Sequence, residues 1–186
     1  MSPFNAKPRT PRPPLDEAGL FDYAVKALGR RMRTEVELRR LMATRVAPDA
    51  TGEQTMAAVL ARLKEYGYLD DAAYAETYAR LRQENDKFGQ RRVKQDLQRK
   101  GVHADLVDET IEARYGQSDE VQLARQHLER KRIKKPENDK ESARVMRRLI
   151  AAGFSTTTIY KVLRQWDVPD ETLSALENVD LDADCE

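Results

Sequence analysis

Hydrophobic side chains recur along most of this chain at intervals of three and four residues, the spacing of one face of an amphipathic α-helix. The first run brings Leu20, Ala24 and Leu28 together on one face, and the same spacing continues to Ile159 and Leu163. The pattern predicts an all-α protein.

Polar residues at helix starts divide this pattern into separate helices. Thr34 with Glu37, and Thr51 with Gln54, have the spacing of capping boxes, in which each side chain bonds to the backbone of the other residue. Asp71 can accept a hydrogen bond from the first turn of the helix that follows it. These signals predict helix starts at residues 34, 51 and 71.

Glycines at helix ends are predicted to reverse the chain, because glycine adopts the left-handed conformation at little cost. Three of them are each followed by an apolar residue: Gly67, Gly101 and Gly153. The next residue is expected to pack back onto the helix that it leaves. We expect Tyr68, Val102 and Phe154 to play this part.

One helix-turn-helix outline occurs twice, with every matched position 52 residues apart. The matched residues are Val93, Leu97, Gly101, Val102, Val107 and Ile111 with Val145, Leu149, Gly153, Phe154, Ile159 and Leu163. A more degenerate copy precedes them, with Arg45 in place of the glycine. A fixed period of this kind is typical of repeat proteins. We predict three tandem three-helix repeats, over 15–69, 70–117 and 118–166, in an elongated helical array.

The two ends of the chain differ from the repeats in composition. Residues 1–14 hold five of the eight prolines and three basic residues without an acid, which predicts a flexible basic arm. Residues 167–186 hold eight acids without a base, and we expect an acidic tail. Because the whole chain has a net charge of only +1, the part between these ends is basic. A basic body favours a polyanion or an acidic protein surface as partner.

The composition also narrows the class and location of the protein. No apolar run approaches the ~18 residues that cross a bilayer, and the N-terminus lacks the apolar core of a signal peptide. The single cysteine, Cys185, cannot form an internal disulfide. We therefore expect a cytoplasmic protein without a membrane partner.

No residue pattern predicts catalysis or a bound cofactor. The chain lacks a nucleotide-binding loop, a dinucleotide fingerprint and the ligand spacing of a zinc or other metal site. Its histidines, His103 and His127, stand apart from the cysteine, and Asp70 with Asp71 is better explained as the start of a helix. We predict a binding protein without enzymatic activity.

Basic residues concentrate on the middle helix of each predicted repeat and on the segment before the last one. We predict a partner-facing surface made of Arg39, Arg40, Arg91, Arg92, Lys94, Arg99, Lys100, Arg130, Lys131, Arg147 and Arg148. Helical spacing allows a basic stripe and an apolar seam to coexist on one helix. Three such stripes suit a long, periodic, acidic partner.

Two partners fit such a surface. One is single- or double-stranded DNA, bound through its phosphates. The helix after Gly101 is acidic at Asp105, Asp108 and Glu109, which disfavours it as a base-reading helix. The other partner is a protein filament, whose successive subunits a repeat array could contact.

The middle of the chain resembles the RecX family of regulatory proteins. The resemblance rests on "GYLDDAAYAETY" from Gly67, followed by "KFGQRRVKQDLQRKGV" from Lys87. Its motif residues are Gly67, Tyr68, Leu69, Asp70, Asp71, Tyr74, Gly89 and Gly101, to which the resemblance gives structural roles. "RRMRTEVELRRLM" and "LIAAGFSTTTIYKVL" extend the similarity to about 20–166.

The resemblance implies a curved rod of three three-helix repeats and a regulatory function. Proteins of this family bind the RecA recombinase, lie in the groove of its filament on DNA, and limit filament growth, ATP hydrolysis and strand exchange. DNA repair, recombination and the SOS response are the processes affected. We expect a monomer that contacts RecA, with DNA binding through phosphates, independent of RecA, as the alternative.

Overall fold

The computed structural model describes residues 13–169, and all the regular secondary structure in this range is helical. The π-helical segment Arg82–Asp86 continues the fourth helix without a break. The helices are α1 (Glu17–Leu28), α2 (Glu35–Ala43), α3 (Ala50–Glu65), α4 (Asp71–Leu81), α5 (Gln90–Arg99), α6 (Ala104–Tyr115), α7 (Glu120–Arg130), α8 (Asp139–Ala151) and α9 (Thr156–Arg164). The all-α prediction is confirmed.

Side-chain caps start most of these helices. The Thr34 hydroxyl accepts the Glu37 N–H at 3.1 Å, as the sequence predicts for α2. The capping box predicted at Thr51 is wrong, because the N-cap of α3 is Asp49, two residues earlier, whose carboxylate accepts the N–H of Gly52 at 2.9 Å. A carboxylate at position 49 is the better cap, since it is ionised and meets the positive end of the helix dipole.

The glycine turns have the predicted backbone, but one of them buries a different residue. Gly67, Gly101 and Gly153 have φ of +69°, +81° and +90°. Val102 and Phe154 are buried as predicted, whereas Tyr68 is 54% exposed and Leu69 is buried in its place. The prediction for Tyr68 is therefore wrong. A leucine leaves no hydroxyl to satisfy in the core, and the tyrosine keeps its hydroxyl in water.

The described residues form two compact units that divide between Asp71 and Ala72. The first unit contains α1, α2 and α3. Its hydrophobic core is formed by side chains that are fully buried, among them Leu20, Leu38, Met42, Val59 and Leu63. These are the i, i+3 and i+4 positions of the sequence pattern, which explains why one face of each helix is buried.

The second unit contains α4 to α9 around one continuous core. Tyr74, Val93 and Val107 from the second predicted repeat belong to the same cluster as Leu149 and Ile159 from the third. The second and third predicted repeats therefore share one hydrophobic core. The repeat boundaries given above stay predictions.

Gly89 and Gly153 bring two backbones of the second unit into direct contact. The Gly89 N–H donates to the Ala152 carbonyl at 2.9 Å, and the Arg91 N–H donates to the Gly153 carbonyl at 3.2 Å. A Cβ atom on Gly89 would lie 2.3 Å from the Gly153 oxygen. The start of α5 therefore packs on the turn between α8 and α9 with no room for a side chain.

The chain remains folded slightly beyond the predicted end of the third repeat. Asp167, predicted as the first residue of the acidic tail, accepts a hydrogen bond from Lys135 Nζ at 2.7 Å. Val168 is buried and donates its N–H to the Leu163 carbonyl at 3.2 Å. These two residues form the turn that ends α9. The predicted arm up to residue 12, and the predicted tail from residue 170, lie outside the described residues.

Candidate functional site

The basic residues predicted to face a partner lie on four helices and at their ends. Arg39 and Arg40 are on α2, the group from Arg91 to Lys100 is on α5 and its C-cap, and Arg130 with Lys131 ends α7. Arg147 and Arg148 are on α8. Most of these side chains are exposed, and the half-buried ones are Arg92, Lys94 and Lys100.

Among the predicted basic residues, those on α5 make the most contacts with other side chains and backbone of the protein. Arg92 pairs with Asp96 at 3.3 Å, donates to the Ala151 carbonyl at 3.4 Å and lies 5.8 Å from the Phe88 ring centre. Lys94 pairs with Asp108 of α6 at 2.6 Å. Arg92 and Lys94 are therefore committed in part to the fold, and less of their charge is available to a partner.

Other predicted residues are free of such pairs. Within residues 13–169, no carboxylate lies within ion-pair distance of the exposed residues Arg40, Arg91, Arg130, Lys131, Arg147 and Arg148. Arg39 pairs with Glu53 at 2.8 Å, and both side chains stay about half exposed. Charge that is unpaired and exposed attracts an anionic partner most effectively. The strongest candidate contacts therefore lie on α2, at the start of α5 and on α8.

The family-motif residues have structural positions. Tyr74 is buried and stacks on Tyr78 with ring centres 6.0 Å apart. The Asp71 carboxylate accepts the N–H of Glu35 at 2.9 Å, so it caps α2 although it is the first residue of α4. Burial raises the pKa of Asp71, despite the hydrogen bond from Glu35. The sequence predicted that Asp71 would cap the helix that follows it, and this is wrong, because Asp71 is the first residue of that helix and caps α2 instead.

Asp71→Ala is expected to lower the free energy of unfolding by about 1 kcal/mol, because the Glu35 N–H loses its acceptor. Asp71→Asn keeps an acceptor oxygen and should remain close to wild type. Urea denaturation followed by circular dichroism gives both values. Equal losses in the two variants would contradict the capping role.

Glu120 is the centre of a polar network that the sequence analysis did not find. Its carboxylate accepts the Ser155 N–H at 2.9 Å, the Ser155 hydroxyl at 2.6 Å and the Thr158 hydroxyl at 2.5 Å. Burial alone would raise the pKa of Glu120, but these hydrogen bonds, together with the nearby charge of Arg91, outweigh it and the pKa is lowered. The network ties the start of α7 to the start of α9. The 35-residue separation of Glu120 and Ser155 left no local signal for it.

Glu120→Gln is expected to remove part of the pH dependence of stability. The pKa of Glu120 is lower in the folded protein than in the unfolded chain, so the ionised carboxylate stabilises the fold at pH values above the unfolded pKa of 4.5. This stabilisation is lost as the pH falls through the folded pKa. The variant should be less stable than wild type near neutral pH, and the difference in stability should narrow as the pH falls below 4.5 and through the lowered folded pKa. Urea denaturation across this pH range measures the difference. Glu109→Gln, an exposed carboxylate on α6, is the matched control and should show no such trend.

Neither a metal-binding cluster nor a membrane-spanning helix is found among the described residues. Across residues 13–169, no group of three or more histidine, cysteine, aspartate or glutamate side chains is arranged to hold a metal ion. No helix in the same range is long and apolar enough to cross a bilayer.

Comparison with known proteins identifies the family. The model of the RecX second three-helix domain matches residues 70–111. The regulatory protein RecX of Leptothrix cholodnii is 33% identical over 84% of this chain and 92% of its own length. That of Deinococcus radiodurans is 38% identical over 63% of this chain, but the match spans only 55% of the relative.

Solved structures give the same fold. The crystal structure of RecX from Lactobacillus salivarius superposes with a TM-score of 0.66 over 82% of this chain and 97% of its own, at 18% identity. A second crystal structure, of a regulatory protein RecX, superposes with a TM-score of 0.63 at 22% identity. Because the relative from Leptothrix cholodnii is 33% identical over 84% of this chain and 92% of its own length, this chain belongs to the RecX family of regulatory proteins.

Proposed function

We propose that this protein binds the filament that the RecA recombinase forms on DNA, lies in the groove of that filament, and limits its growth, ATP hydrolysis and strand exchange. Family membership, through the 33% identity to a RecX protein over 84% of the chain, is the observation that carries the proposal. In this role the protein modulates DNA repair and recombination, including the SOS response. It works as a cytoplasmic monomer, without a cofactor or a reaction of its own.

The exposed cations support a contact spread over the chain. Arg40 lies on α2, Arg91 on α5 and Arg147 on α8, which are the middle helices of the three predicted repeats. Each contact is weak alone, because exposed charges are screened by salt. Several contacts made together bind tightly through effective concentration. A filament presents the same surface at each of its subunits, and so suits a protein that makes several contacts along its length.

The first test is ATP hydrolysis by the cognate RecA on single-stranded DNA, with this protein added far below the RecA concentration. A fall in rate at such ratios would support binding at filament ends or grooves, where few copies control many subunits. No fall at any ratio would refute the proposal.

The second candidate function is binding to DNA without RecA, and the same unpaired cations favour it. Phosphate contacts release counterions, so affinity for bare DNA would fall steeply with salt. Fluorescence anisotropy with labelled single- and double-stranded DNA at several salt concentrations separates the two functions. Tight, salt-sensitive binding together with no effect on RecA would favour this candidate.

A further inference from the structure

Two neighbouring depressions in the second unit form one groove between the end of α7 and the length of α8. Their volumes are about 330 and 340 Å³, and both are lined by Ile133 and Arg148. We call the pair the basic groove. It lies beside the start of α5, because the Gly89 N–H donates to the Ala152 carbonyl and Ala152 lines the first depression. Two of its residues, Lys131 and Arg148, belong to the partner-facing surface predicted above, but no ligand has been assigned to the groove itself.

The floor of the first depression is apolar and uncharged. Phe88, Ile133, Ala151 and Ala152 line it together with His127, which is only 4% exposed. His127 Nδ1 lies 3.1 Å from the Asp86 carbonyl. Burial lowers the pKa of His127, so the ring is neutral near neutral pH. An aliphatic side chain could be buried on this floor.

The walls of the groove are strongly cationic. Within the described range, no ion pair is formed by the exposed lining residues Lys131, Arg132, Lys134, Arg144 and Arg148. The acids along the groove are Glu137 and Glu141, and Glu141 already accepts the N–H of Glu137 at 3.0 Å. The groove therefore has an excess of positive charge that the fold does not neutralise.

One of these cations occupies a strained backbone position. Arg132 has φ of +53° in the turn that ends α7, where its N–H donates to the Glu129 carbonyl at 2.9 Å. The turns at Gly101 and Gly153 use glycine for the same conformation. A side chain in the left-handed region is unfavourable, so stability alone would favour glycine at position 132. Arg132 shares this conformation with Lys87 and Asp167, and strained backbone of this kind clusters at functional sites.

We propose that the basic groove binds an acidic segment of a protein partner, with one aliphatic side chain on the apolar floor and flanking carboxylates on Arg148, Lys131 and Arg132. Charge complementarity requires an anionic ligand, and carboxylates pair well with arginine. The floor selects a ligand that also carries an apolar anchor. The proposal stands whether or not that partner is RecA.

Nucleic acid fits the groove less well. Bases bind by stacking on exposed aromatic faces, but Phe88 is the one aromatic carbocycle in the lining. The ring centres of Phe88 and His127 are 5.9 Å apart, and the Arg92 guanidinium lies 5.8 Å from the Phe88 ring centre. The Phe88 ring is therefore already in contact with two side chains of the protein. The described lining also contains no asparagine or glutamine that could pair with the edge of an adenine.

The test is fluorescence anisotropy of the full chain with a short labelled peptide of aspartate and glutamate that carries two leucines. We expect binding that weakens roughly tenfold when the leucines become serine. Arg148→Glu should weaken binding at least ~tenfold, because this side chain lines both depressions. Lys140→Glu is the matched control, since it makes the same charge change at an exposed position of α8 outside the lining, and it should have little effect.

Arg132→Gly provides an independent readout. It should raise the melting temperature, by relieving the left-handed backbone, and weaken peptide binding several-fold. The proposal would be overturned by equal binding of the leucine and serine peptides, by equal effects of Arg148→Glu and Lys140→Glu, or by no binding. Labelled oligothymidylate is measured alongside, and tighter binding of it than of the peptide, lost in Arg148→Glu, would assign the groove to nucleic acid instead.

Discussion

Gly153→Ala is expected to lower the free energy of unfolding by about 3 kcal/mol, the largest loss from a single added methyl group that we predict. Gly153 has φ of +90°, which an alanine adopts only with strain. Its new Cβ would also lie 2.3 Å from the Arg92 backbone nitrogen. Strain and overlap add, because neither is relieved by moving a flexible side chain. Urea denaturation followed by circular dichroism measures the loss.

Two further glycine variants separate these causes. Gly67→Ala has a similar φ of +69° but no atom within 4 Å of the added Cβ, so it should show the backbone strain alone, about 1 kcal/mol. Gly89→Ala has an ordinary φ of −72° and would show the overlap alone, with the Gly153 oxygen 2.3 Å away. If Gly153→Ala were no more destabilising than Gly67→Ala, α5 would not pack on the turn after α8.

Reversing the charge of exposed arginines is expected to weaken inhibition of RecA without affecting the fold. Arg40→Glu and Arg147→Glu should each raise the concentration needed for half-maximal inhibition of ATP hydrolysis roughly tenfold, and together by more. Neither side chain has an ion-pair partner among the described residues. Their free energies of unfolding should therefore stay within about 0.5 kcal/mol of wild type.

The control for this experiment is Lys161→Glu, an exposed cation on α9 outside the predicted surface. It should leave inhibition unchanged. Arg92→Glu is a poor test of the surface, because Arg92 also contacts Asp96 and the Ala151 carbonyl and its loss should destabilise the second unit. Unchanged inhibition by Arg40→Glu and Arg147→Glu together would exclude these arginines from the contact.

The residues of α5 illustrate how far sequence reasoning about the candidate surface extends. The sequence predicted that Arg91, Arg92 and Lys94 lie on one helix beside an apolar seam, and helical spacing is sufficient for that inference. It did not predict that Arg92 and Lys94 would be paired with Asp96 and Asp108. Which cations stay free depends on which carboxylates the fold brings near them. The basic groove was missed for the same reason, because its floor combines Phe88 with residues more than 30 positions later.

By itself, the sequence determined the helical class, most helix limits and the glycine turns of this protein. These features follow from interactions within a few residues: the three- and four-residue spacing of apolar side chains, and the left-handed backbone at Gly101 and Gly153. Tertiary structure alone decided that Leu69 is buried while Tyr68 is exposed, and that Asp71 caps α2. Burial and hydrogen-bond partners are set by contacts between segments far apart in the chain, which local spacing does not encode.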